Sequence, residues 1–80
     1  MDDPDVLSRI NSLADEEHEL LSRRAAGGAS PDEHARLEKI EVELDQCWDL
    51  LRQRRARRNA GEDPDAAVAR DADTVEHYRQ

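Results

Sequence analysis

Phenylalanine is absent from this chain of 80 residues, and one tryptophan and one tyrosine are its aromatics. What remains is rich in Leu, Ala, Glu, Asp and Arg, a composition that suits solvent-washed helices far better than sheet. Helix breakers are equally scarce, with three glycines and three prolines. A lone cysteine, Cys47, cannot close an internal disulfide, which fits a reducing compartment. No apolar run approaches the ~20 residues that a bilayer span requires. Positive charge is missing where a signal peptide needs it, since the chain opens Met1-Asp2-Asp3-Pro4-Asp5. A cytoplasmic protein without a membrane segment is expected. At this length the chain makes at most one small domain.

Charge is abundant and unevenly spread. Charged residues make up 40% of the chain and the net charge is −8. Residues 1–51 hold 14 acids and 5 bases, residues 52–58 five arginines and no acid, and residues 59–80 six acids and two bases. An acidic chain with one compact basic segment repels phosphate over most of its surface, so nucleic acid is not the expected partner.

Two long helices are indicated by the apolar spacing. Val6, Ile10, Leu13 and Leu20 recur at helical intervals, with Leu7, Ala14 and Leu21 one step round. Pro4 suits a first helical position, with Asp3 as its N-cap, and Gly27-Gly28 suits a helix end. Ser30-Pro31-Asp32-Glu33 reads as a capping box. Leu37, Ile40, Leu44, Cys47, Trp48 and Leu51 then keep helical spacing as far as Asn59-Ala60-Gly61. Helices over about 4–26 and 31–60 are expected. Asp5→Arg9, Glu19→Arg23 and Asp32→Arg36 stand at i,i+4 in the favourable order. Four connecting residues force an antiparallel hairpin. Folding at 28–29 sets Leu20 against Leu37, Leu13 against Leu44, Ile10 against Cys47 and Val6 against Leu51.

Residues 61–80 form an acidic tail, either a short helix near 74–80 or disordered. Glu62-Asp63-Pro64-Asp65 reads as a turn or a short helix start. Asp73-Thr74-Val75-Glu76 resembles a further cap, with Val75 and Tyr78 sharing one side of the segment it would start.

The apolar stripes are wider than one partner helix covers. The fold class expected is therefore all-α, a hairpin pairing into a homodimeric four-helix bundle, with a different protein partner as the competing cover. Leu7, Ala14, Leu21, Leu44, Trp48 and Leu51 are the interface candidates. Arg52, Arg54, Arg55, Arg57 and Arg58 could hold an anionic partner. The register also brings residues 52–55 beside Asp2, Asp3 and Asp5, where they would serve the fold, and no aromatic interleaves them to stack on bases. Asp15 and His18 share a helix face at a ligand-like spacing, but the second helix has no matching Glu-x-x-His, so no metal and no cofactor are expected. Glu17 falls in the seam as a polar break. Cys47 lies on the core stripe as a small buried hydrophobe rather than a nucleophile. No residue set names a reaction, and an interaction protein rather than an enzyme is expected.

The segment from Val42 through Cys47-Trp48-Asp49-Leu50-Leu51-Arg52 to Arg58, with Asp15-Glu16-Glu17-His18-Glu19-Leu20 before it and Ala60-Gly61-Glu62-Asp63-Pro64 after it, resembles an actinobacterial family of short proteins. That family is the domain of unknown function twenty-six thirty. The resemblance covers nearly the whole chain. It implies a compact bacterial single domain and carries no activity, ligand or catalytic residue.

Overall fold

The acids that open the chain organise its first helix. In the computed structural model, which describes residues 2–77, α1 spans Asp3–Ala25. Its N-cap is Asp2, whose carboxylate accepts the Asp5 backbone N–H at 2.9 Å. The cap thus sits one residue earlier than Asp3, because the Asp3 carboxylate is held by two arginines of the second helix. Gly27, at φ +76°, turns the chain out of α1. Its N–H donates to the Arg24 carbonyl and that of Gly28 to the Arg23 carbonyl, satisfying acceptors that the helix end would leave open.

The second helix, α2, spans Pro31–Asn59. Both bonds of the capping box form: Ser30 Oγ accepts the Glu33 N–H, and the Glu33 carboxylate accepts the Ser30 N–H. Gly61, at φ +75°, ends α2 as Gly27 ends α1.

The two helices pack antiparallel, and at their open end the core follows the expected pairing. Val6 and Ile10 meet Leu50 and Leu51, with Leu44, Cys47 and Ala67 packed against them. Leu13, Leu37 and Ile40 are also buried. Each fully buried side chain of this size contributes about 1.5–3 kcal/mol. The arginines expected to pair along one helix reach across the seam instead. Arg9 binds Glu43, Arg23 binds Glu33, and Arg36 grips Glu16 through two parallel bonds of 2.7 and 2.9 Å. A guanidinium fork matches a carboxylate best head-on, and the facing helix offers that approach where a neighbour one turn away does not.

The tail is a third element. A 3₁₀ turn, Pro64–Ala66, is capped by Asp63, and α3 spans Ala72–His77. Asp71, not Asp73, accepts the first-turn N–H, from Thr74 at 2.7 Å, and the helix accordingly starts earlier than expected. Tyr78 and the end of the expected 74–80 helix lie outside the described residues. The 3₁₀ turn and α3 pack on α2 and not on α1. Gln53 donates to the Val68 carbonyl, Gln46 to that of Arg70, and Val75 is buried at 3% exposure.

Hairpin and tail thus lie side by side, with α2 in the middle. The Cα extents are 49 × 26 × 15 Å and the radius of gyration is 14.8 Å, against about 12 Å for a compact domain of this length. Among the described residues there is no strand, and no helix is long and apolar enough to cross a membrane.

Candidate functional site

At the open end of the hairpin, α1, α2 and the tail converge on one guanidinium. Arg54 is 5% exposed. Its Nε donates to Asp3 at 2.6 Å, and its Nη1 to Asp65 at 2.9 Å and to the Pro64 carbonyl at 3.3 Å. Arg58, one turn on, closes the other oxygen of Asp3 at 2.6 Å. Arg57 pairs with Glu62. Three of the five arginines therefore serve the fold. Arg54 and Arg58 share the face turned to α1 because they are four residues apart. Arg52 and Arg55 lie on other faces, are exposed, and make no ion pair among the described residues. Of the acids expected beside residues 52–55, Asp3 makes the contact, while Asp2 caps α1.

These bonds set the acid behaviour of the fold. Hydrogen bonds from Arg54 and then Arg58 hold Asp3 below its ordinary pKa of 3.8. The Arg36 bond does the same to Glu16, and the Arg23 bond to Glu33, against an ordinary 4.5. Asp2 and Asp71 are lowered by the backbone N–H groups they cap. All five bind fewer protons folded than unfolded near their ordinary values. Their stabilisation is complete above pH 4.5, starts to fade there, and is lost as pH falls through the lowered folded values. Urea midpoints should accordingly be flat between about pH 7 and pH 6 and fall steeply below pH 4.5. A midpoint that rises on acidification would contradict the assignment.

The seam has two unlike flanks. One carries the Arg9–Glu43 and Arg36–Glu16 pairs. On the other, Glu17, Glu41, Leu44, Asp45 and Trp48 line a groove of about 420 Å³. Ala14 and Leu21 flank Glu17 at i−3 and i+4 on this side, and Leu7 continues the stripe. Leu7 is 39% exposed and Trp48 43%, at nearly the same level of the hairpin. Ala14 is exposed, and Leu21 and Leu44 are half-buried. Leu51, grouped with them from the spacing, lies in the core at 1% exposure. Glu17 is half-buried at the groove edge, which is how a carboxylate is accommodated in an apolar seam.

The far side of Trp48 opens on a second groove of about 590 Å³, between α2 and the tail. Asp49 is buried there, accepting from Gln53 at 2.9 Å and paired with Arg70 at 3.4 Å. Sequence reasoning missed this groove, since Asp45, Asp49 and Gln53 look like a solvated helix face. Val75, the apolar residue of the tail's last segment, was the one signal that the tail packs on something.

Cys47 is half-buried, and burial raises its thiol pKa, which keeps the nucleophilic thiolate scarce. Asp15 and His18 are both exposed on α1, and His34 lies near the turn on α2. Among the described residues no three His, Cys, Asp or Glu side chains gather as metal ligands.

The chain matches a family model described as "Protein of unknown function (DUF2630)" over residues 2–80. It is 52% identical over 77 residues to uncharacterised proteins of Mycobacterium bovis and of two strains of Mycobacterium tuberculosis. Each match covers 95% of this chain and 88% of the relative. No solved structure matches it. A model spanning nearly the whole chain and relatives at this identity agree on one assignment: the protein belongs to the DUF2630 family.

Proposed function

We propose that this protein is a small cytosolic interaction protein, an adaptor or regulator rather than an enzyme, and that it self-associates through the flank carrying Leu7, Ala14, Leu21, Leu44 and Trp48. One observation carries the reading. The largest exposed apolar side chains of the two long helices are Leu7 and Trp48, and helix geometry and the hairpin register put them on the same flank at nearly the same level. A chain about 15 Å thick in its thinnest direction leaves such a flank in water unless a partner covers it. Its broad face, 49 by 26 Å, exceeds the about 800 Å² per partner that a standard interface uses. A second copy is the economical occupant, since a two-fold axis would lay one apolar stripe on the other.

The internal pairing of Arg54, Arg57 and Arg58 weighs against a nucleic-acid role for the arginine cluster, which retains two uncommitted guanidiniums in a chain of net charge −8. Trp48, as the lone tryptophan, reports on its own cover. On dilution from micromolar to nanomolar concentration, its emission should shift to the red along a sigmoidal curve as the second copy leaves. Emission already at the solvent-exposed wavelength and independent of concentration would refute self-association through this flank.

A further inference from the structure

The groove between α2 and the tail contains groups that the fold does not use. Its room of about 590 Å³ falls within the range of small-molecule sites. Asp49, on its wall, is already matched by Arg70 and Gln53. Arg52, also on the wall, is exposed and makes no ion pair or hydrogen bond among the described residues. Trp48 stands four residues before Arg52, so the indole and the guanidinium share one helix face. Ala56, exposed four residues beyond Arg52, continues the same face, and the buried Val75 closes the floor from the tail.

We propose that this groove binds a small amphipathic carboxylate, its single negative charge on Arg52 and its apolar body along the exposed indole of Trp48. The charges decide the class. Asp45, Asp49, Arg52 and Arg70 sum to zero, so the groove is locally neutral in an acidic chain. One free guanidinium matches a monoanion, while a phosphate dianion would leave one negative charge unmatched in an acidic chain. An uncharged ligand would leave Arg52 unused. The proposal stands on this groove alone and does not require self-association.

Trp48 emission, at fixed protein concentration, provides the test. Titration with octanoate should give a saturable change with a Kd on the order of 1 mM, as expected for a ligand with few atoms in an open groove. Octanamide, which keeps the shape and loses the charge, should bind roughly tenfold more weakly. Arg52→Gln should cause the same loss. Arg55→Gln should titrate like the wild type, because Arg55 is also exposed but does not line the groove. Equal binding of octanamide, an unchanged titration in Arg52→Gln, or no saturable change up to tens of millimolar would each overturn the proposal. A leucine-ended tripeptide that binds more tightly than octanoate would also overturn it, by assigning the groove to peptide termini.

Discussion

Ile40→Asp should leave the chain unfolded at 25 °C. Ile40 is the most completely buried side chain among the described residues, with 0% exposure, and the hairpin register sets it opposite the half-buried Glu17. A carboxylate there would enter an apolar site beside an existing acid, at a cost of several kcal/mol on top of the lost packing. A domain of this size has on the order of 4–12 kcal/mol of stability in total. Far-UV circular dichroism should therefore show the helical signal lost. Ile40→Ala separates packing from charge: it should remain helical at 25 °C and lose about 3 kcal/mol, which lowers Tm by roughly 12–24 °C. A helical Ile40→Asp variant with a Tm near the wild type would show that the seam is not the core.

The second large effect is expected from Arg54→Met. Met keeps much of the side-chain volume and removes every bond from Arg54 to Asp3, Asp65 and the Pro64 carbonyl. Asp3 keeps Arg58 and Asp65 is already largely in water. The loss is thus smaller than that of stranding a buried charge, and a Tm decrease on the order of 5–10 °C is expected. The decisive readout is local. Amide hydrogens of residues 62–77 should exchange at least about tenfold faster, while those of α1 and α2 around Leu13 and Ile40 should change only in step with global stability. Arg55→Met, which removes an unpaired arginine from the same segment, should change neither. Equal effects of the two substitutions would mean that the arginine run acts through its net charge and not through the Arg54 clamp.

Much of the hairpin was legible because its signals are local. The capping box at Ser30–Glu33, the stop at Gly27 and the seam from Val6 to Leu51 depend on residues close in sequence or on a single period, and all appear where the pattern sets them. The ion pairs were less legible. Helical spacing assigned Arg9, Arg23 and Arg36 to neighbours one turn back, but which carboxylate an arginine finds depends on the facing helix. The tail was the least legible part. Its polar contacts to α2 run through backbone carbonyls of Val68 and Arg70 and through Asp49, and its apolar ones are the isolated Ala67 and Val75, so neither set leaves a hydrophobic period. A polar surface that is buried by polar partners looks, in sequence, like a polar surface in water.

That hidden cover also bears on assembly. Two bare helices would need a partner along every outward stripe, whereas the tail already protects the outer face of α2 and buries Val75. The flank with Leu7 and Trp48 is what remains, and its cover by a second copy is the central claim. Sedimentation equilibrium at micromolar concentration tests it most directly. A 9.1 kDa chain that pairs should give twice that mass, about 18 kDa, and return to 9.1 kDa with its helical content intact when both Leu7 and Trp48 are replaced by Glu. A wild-type protein that is helical and sediments at 9.1 kDa over the same range would contradict it.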